Sequence, residues 1–81
     1  MNLYLLLIDK TQISIIWDVL NLYPIDNIIV VKINDNCIEL KSNLNQTDLE
    51  ENLKCYFYQI GYYGTFTILD PLLNDYEVVN Y

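Results

Sequence analysis

Hydrophobic and polar residues follow one another along the chain in six segments, and the spacing within each predicts one kind of element. The first segment, residues 3–8, is an unbroken apolar run that stops at Asp9, which is typical of a strand buried on both faces. Apolar residues then recur at helical spacing at Ile13, Ile16, Trp17 and Leu20. This stripe predicts an amphipathic helix, which we expect Thr11 to cap and Pro24 to end.

The middle of the chain predicts a β-hairpin. Residues 28–31 are β-branched, and residues 37–41 alternate between apolar and charged side chains, as strands do. Asn34, Asp35 and Asn36 lie between them and tolerate the backbone angles of a tight turn.

A second helix has a clear start and stop. Thr47 and Glu50 have the spacing of a capping box, in which each side chain accepts a hydrogen bond from the other residue's backbone N–H. Apolar positions follow at helical spacing at Leu49, Leu53, Tyr56, Phe57 and Ile60. Gly61 occupies the place of a C-terminal cap, and residues 65–69 alternate like a fourth strand that ends before Pro71.

The order β-α-β-β-α-β predicts an α+β protein of the ferredoxin-like class. Right-handed crossovers would place both helices on one face of a four-stranded antiparallel sheet. We expect one domain over residues 1–81, with residues 70–81 forming either a tail or a fifth strand at the C-terminus.

The first strand is central in this class, and both of its faces are apolar. One face carries Leu3, Leu5 and Leu7, and the other carries Tyr4, Leu6 and Ile8. One set meets the helices, and the other set needs a cover. We expect a homodimer whose interface contains Tyr4, Leu6, Ile8, Val78 and Val79. The alternative is that the C-terminal tail folds back over its own sheet.

The charge of the chain limits the classes of partner that it is expected to bind. Eleven acids face four lysines, giving a net charge of −7, and the chain has neither arginine nor histidine. Phosphate and base recognition relies on arginine, so this composition disfavours direct nucleic-acid binding and anionic membranes. An acidic surface instead attracts basic grooves on other proteins.

The sequence offers little for catalysis. Histidine, the commonest general base, is missing, and neither Cys37 nor Cys55 has a neighbour that would activate its thiol. Two cysteines do not complete a zinc site, and no lysine follows Gly64 as a phosphate loop requires. We therefore expect no catalytic residues, no metal and no cofactor. Reduced cysteines and the lack of a signal or membrane segment favour the cytoplasm, which is that of the host cell if the protein is viral.

The order of elements, the opening stretch from Tyr4 to Asp9 and the segment 38–69 resemble the Cas2 and SinR-like group of small ferredoxin-like proteins. The resemblance implies a dimer formed through the sheet, often with an extra C-terminal strand. It also implies a nuclease or adaptation subunit in which Asp9, at the end of the first strand, holds a divalent metal between protomers. The chain departs from that group by lacking the basic residues that would hold a nucleic acid. Judged by its position alone, Asp9 is a turn or helix-capping residue.

Tyrosines and acids together predict a protein-binding surface, because exposed tyrosines bury a large area at little entropic cost. The candidate binding residues are Asp48, Glu50, Glu51, Tyr62, Tyr63, Asp75, Tyr76 and Glu77.

We expect a small acidic module, an inhibitor or adaptor, that engages the basic surface of a nucleic-acid-binding protein. In class it is similar to the small acidic anti-CRISPR proteins of phages. The alternatives are the metal-dependent nuclease that uses Asp9 and a regulatory domain that binds a small molecule between subunits.

Overall fold

The structure, a computed structural model, describes residues 1–71. The elements in chain order are β1 (Asn2–Ile8), α1 (Ile13–Leu22), β2 (Ile28–Ile33), β3 (Cys37–Ser42), α2 (Gln46–Gln59) and β4 (Phe66–Leu69). The strands form one antiparallel sheet in the order β2-β3-β1-β4. This order and the two helices confirm the predicted α+β, ferredoxin-like class. The predicted C-terminal strand, with Val78 and Val79, lies outside the described residues.

β1 lies at the centre of the sheet, between β3 and β4. Leu6 pairs with Ile38 on one side and with Ile68 on the other, so these three side chains point to the same face. The helices cover this face, because buried residues of α1, α2 and the sheet form a single cluster. The helices contribute Ile13, Ile16, Leu20, Leu49, Leu53 and Phe57 to that cluster.

The structure reverses the predicted use of the two faces of β1. Tyr4, Leu6 and Ile8 are buried in the core beneath the helices, with exposed fractions of 2%, 0% and 6%. The prediction that these three residues form a dimer interface is therefore wrong, because the chain's own helices already cover them. The face without helices carries Leu3, Leu5 and Leu7 instead.

Both helices begin differently from the prediction. α1 has no side-chain cap, and the Thr11 N–H donates to Oδ1 of Asp9 at 3.1 Å. In α2 the cap is Asn45, whose Oδ1 accepts the Asp48 N–H at 2.8 Å. The predicted capping box at Thr47 is wrong, because the cap lies two residues earlier, at Asn45, and the helix starts at Gln46.

The predicted hairpin is confirmed, and its turn is closed by the Asn34 N–H, which donates to the Cys37 carbonyl at 2.8 Å. The register between β2 and β3 shifts between Val30 and Lys32, which places a bulge on an edge strand. Within residues 1–71 no helix has the length and apolar character needed to cross a membrane.

Paired substitutions on β1 test this assignment of faces. We expect Leu6→Ala to lower the free energy of unfolding by about 2–5 kcal/mol, because a cavity opens beneath the helices. Leu5→Ala removes a side chain that is only half-buried on the open face, so the expected loss is about 1 kcal/mol. Urea denaturation followed by circular dichroism measures both values. A larger loss of unfolding free energy for Leu5→Ala than for Leu6→Ala would contradict the assignment.

Candidate protein-binding surface

Charge is unevenly distributed between the sheet and the rest of the protein. The four strands carry one acidic residue, Glu39, together with Lys32 and Lys41. Every other acidic residue in the described part of the chain lies in a helix or a loop. The excess negative charge of residues 1–71 therefore lies in the helices and the loops.

The solvent-exposed side of α2 is acidic at its start and aromatic at its end. Asp48, Glu51, Cys55 and Tyr58 follow one another at spacings of three and four residues, and all four are exposed. Such spacing places them along one face of the helix, over a length of about 15 Å. We call this set of four residues the outer α2 face.

Two exposed tyrosine rings stand together at the end of the outer α2 face. Tyr58 and Tyr63 are 71% and 77% exposed, and their ring centroids lie 5.8 Å apart at an interplanar angle of 77°. This edge-to-face contact holds two large rings in solvent in a defined arrangement. Exposed and pre-arranged tyrosines are typical anchors of protein interfaces.

The end of α2 explains why Tyr63 lies beside Tyr58. Gly61 has a φ of +83°, and its N–H donates to the Tyr58 carbonyl at 3.2 Å. The Tyr62 N–H donates to the Phe57 carbonyl at 2.8 Å, which completes a Schellman cap. The predicted role of Gly61 is confirmed. The cap turns the chain back along the helix, so Tyr63 reaches the ring of Tyr58.

Tyr62, which precedes the exposed Tyr63, packs against the core residue at the end of α2. Its ring packs edge-to-face on Phe57 at 5.3 Å, and its hydroxyl donates to the Thr65 carbonyl at 3.0 Å. Burial, and then the nearby Asp9 carboxylate, raise the pKa of Tyr62 above its ordinary value. Gly64 leaves room for this ring, since a Cβ there would lie 2.5 Å from the Tyr62 hydroxyl oxygen.

A cleft of about 320 Å³ lies between α2 and the loop that follows it. Its lining consists of Glu50, Lys54, Phe57, Tyr58, Tyr62, Tyr63, Gly64, Thr65 and Phe66. The Lys54 Nζ lies 3.6 Å from Oε1 of Glu50, and the two side chains are 64% and 47% exposed. We call this the aromatic cleft, because five of its walls are aromatic rings with one carboxylate beside them.

The structure divides the predicted binding residues into three groups. Glu50, Tyr62 and Tyr63 meet in the aromatic cleft, whereas Asp48 and Glu51 lie on the outer α2 face. Asp75, Tyr76 and Glu77 lie outside the described residues.

Sequence reasoning missed Tyr58 as a surface residue. The signal was present, because Tyr58 lies two helical turns after Glu51 and three residues after Cys55, and so continues the polar stripe of the helix. An aromatic residue on the polar face of a helix has no place in the core and is therefore a candidate for binding.

Asp9 accepts hydrogen bonds from the backbone of the residues that follow it. Its carboxylate accepts the Thr11 N–H, and its carbonyl accepts the N–H groups of Gln12 and Ile13 at 2.9 and 3.1 Å. It thus organises the turn that starts α1. Among residues 1–71, no three histidine, cysteine, aspartate or glutamate side chains come together as a metal site would require.

The open sheet face is the second candidate surface, and it is apolar in its centre. Leu3 and Leu5 are flanked in register by the charged residues Lys41 and Glu39 of β3, and Leu5 is also flanked by Leu69 of β4. Lys32 Nζ and Glu39 Oε2 form an ion pair at 3.3 Å on the same face. The face is therefore nearly neutral, in contrast to the helical side.

Tyr56 connects the two helices. Its hydroxyl lies 2.8 Å from the carbonyl oxygen of Tyr23 and 3.1 Å from that of Val19, both at the end of α1. Burial, and then the neighbouring Tyr23, raise the pKa of Tyr56 above its ordinary value.

This raised pKa predicts how stability depends on alkaline pH. The folded state holds the Tyr56 proton more tightly than the unfolded state, so the associated stability is complete below about pH 10 and falls as pH rises through the folded pKa. We expect Tyr56→Phe to show a smaller alkaline loss than the wild type, in urea denaturation from about pH 8 to about pH 11. Tyr63→Phe removes an exposed hydroxyl and serves as the control. An unchanged slope in Tyr56→Phe would contradict the prediction.

Comparison of the chain with protein-family models, curated proteins and solved structures finds no match. The outer α2 face, the aromatic cleft and the open sheet face are the features from which function can be inferred.

Proposed function

We propose that this protein is an acidic protein-binding module whose outer α2 face engages a basic surface of a nucleic-acid-binding protein. In this role it would act as an inhibitor or adaptor, as small anti-defence proteins of phages do. One observation carries the proposal: two exposed carboxylates, Asp48 and Glu51, share one helix face with the exposed Tyr58–Tyr63 pair.

The arrangement suits a protein partner because acids and aromatic rings contribute in different ways. On a protein with a net charge of −7, exposed carboxylates raise the rate of association with a basic surface and orient the two proteins as they meet. The tyrosine rings then supply area that can be desolvated, which determines how long the complex lasts. Two carboxylates about 5 Å apart along the helix, with flat rings about 10 Å further on, also resemble the charges and bases that such a partner normally binds.

Charge reversal on the outer α2 face tests the proposal. We expect Asp48→Lys with Glu51→Lys to abolish capture of a stoichiometric basic protein in a tagged pull-down read by mass spectrometry. Capture by the wild type should survive nuclease treatment and weaken with salt, because the attraction is electrostatic. The matched control is Asp18→Lys with Asp35→Lys, which makes the same change in charge on exposed positions outside α2.

Two results would contradict the proposal. Equal capture by the two double variants would show that the outer α2 face is not the binding surface. Recovery of nucleic acid instead of protein would favour the nuclease alternative, and divalent-dependent cleavage that is lost in Asp9→Ala would then be the expected signature.

The open sheet face supports a second part of the proposal, a homodimer. With about 4.8 Å between strands and about 3.3 Å per residue, the face covers on the order of 400 Å² per copy. A standard interface buries about 800 Å² per partner, so the face alone holds two copies only weakly. Repulsion across this face is small, because Lys32, Glu39 and Lys41 are the only charged residues in the four strands that the structure describes.

We therefore expect a dimer that forms only at high concentration. Sedimentation velocity from micromolar to millimolar protein should show a gradual rise in mass for the wild type. Leu3→Glu should keep the protein monomeric, because it places a charge beside the half-buried Leu5 and Leu7 in the middle of the open face. Ile15→Glu is the matched control, since Ile15 is an exposed apolar residue of α1 on the helical side. Equal dissociation by both variants would contradict a dimer through the sheet.

A further inference from the structure

The aromatic cleft has the components of a site for an organic cation. Tyr58 and Tyr63 form two nearly perpendicular walls in solvent, and Tyr62 and Phe66 continue the aromatic surface on either side of Phe57. The face of an aromatic ring attracts cations, and rings set at an angle to one another surround a cation better than a flat surface does.

A carboxylate completes these components. Glu50 is the acidic residue that lines the cleft, and its carboxylate already holds one cation, the ammonium group of Lys54 at 3.6 Å. An exposed lysine–glutamate pair four residues apart on a helix contributes little to stability. The Lys54 side chain can therefore leave Glu50 at small cost when a better cation arrives.

We infer that the aromatic cleft binds one arginine side chain of the partner, with its guanidinium between the tyrosine rings and Glu50. This inference rests on the proposed function, and it names the partner residue that the surface recognises. Arginine fits better than lysine because its planar guanidinium stacks on aromatic rings and forms two parallel hydrogen bonds to a carboxylate. The 320 Å³ of the cleft is at the small end of ligand sites, which suits a single side chain.

Within this arrangement Lys54 acts as an internal competitor. Its ammonium occupies the carboxylate while the cleft is empty, so the arginine gains only the difference between two cations. Removal of Lys54 should therefore strengthen arginine binding. Any acidic surface would bind a cation more tightly after the loss of a lysine, so the location of the effect distinguishes the cleft: loss of charge at Glu50 weakens binding, and the same loss at Asp18 does not.

The test uses the full chain and three short peptides, acetyl-Gly-Xaa-Gly-amide with arginine, citrulline or lysine in the middle. Titrations are followed by two-dimensional NMR, with attention to amides 57–66 and the tyrosine ring protons. We expect the arginine peptide to bind with a millimolar dissociation constant, and citrulline, which has the same shape without the charge, to bind about tenfold more weakly. Lysine should fall between them.

Three variants locate the effect. Glu50→Gln should weaken arginine binding about tenfold, whereas Asp18→Asn, the same loss of charge at an exposed position of α1, should leave it unchanged. Lys54→Met should strengthen it about twofold to threefold, because the internal competitor is gone. The Glu50 and Lys54 side chains are 47% and 64% exposed and Asp18 is exposed, so circular dichroism should show an unchanged fold.

The outcomes separate this inference from the proposed function. Equal binding of arginine and citrulline, resonance shifts away from residues 57–66, or weaker binding in Lys54→Met would overturn the arginine site. If the basic partner is still captured and still lost on charge reversal at Asp48 and Glu51, the proposed function survives that result. Arginine binding in the cleft without any captured protein would uphold the site and overturn the proposed function.

Discussion

The packing of Phe57 is the interaction on which the rest of the structure depends. Its ring is almost completely buried and makes edge-to-face contacts with Tyr56, Tyr62 and Phe66. Its carbonyl also accepts the Tyr62 N–H that caps the helix. One residue thus fixes the rotation of α2 on the sheet, the direction of the chain after the helix and the approach of β4.

The functional surfaces follow from that rotation. With Leu49, Leu53 and Phe57 facing the core, the helical period leaves Asp48, Glu51 and Tyr58 in solvent. The Schellman cap then returns Tyr63 to Tyr58 and places Tyr62 beneath them. The aromatic cleft therefore needs no separate scaffold, because the same packing that stabilises the domain also positions its walls.

The order and type of the elements could be predicted because each segment has a clear hydrophobic period. Which face of β1 the helices cover could not be predicted. Both faces are apolar, so the alternation of side chains does not show which one is buried in the core. The deciding interaction is between residues far apart in sequence: the Tyr4 hydroxyl, buried beneath the helices, donates to the Leu44 carbonyl at 2.9 Å. An apolar strand accommodates tyrosine on its covered face only where such an acceptor lies within reach.

The helix start illustrates a second limit of prediction. Asn45 and Thr47 are both good capping residues, and the sequence alone favoured Thr47 because Glu50 has the right spacing. In the structure Glu50 instead approaches Lys54, and Gln46 reaches across to β4, where its Nε2 donates to the Ile68 carbonyl at 2.9 Å. Helix α2 therefore begins where a tertiary contact can form, and local capping rules choose only among the starts that this contact permits.

Asp48 has two roles on the outer α2 face, one in stabilising the helix and one in the proposed binding surface. Its N–H donates to the Asn45 cap, and its carboxylate lies in the first turn, where the helix dipole favours negative charge by about 0.3–1 kcal/mol. Asp48 therefore contributes both to the helix and to the acidic surface. Glu51 lies beyond the first turn, is exposed and has its charge available to a partner alone. A substitution at Glu51 that weakens partner binding and leaves the free energy of unfolding unchanged would thus separate recognition from helix formation.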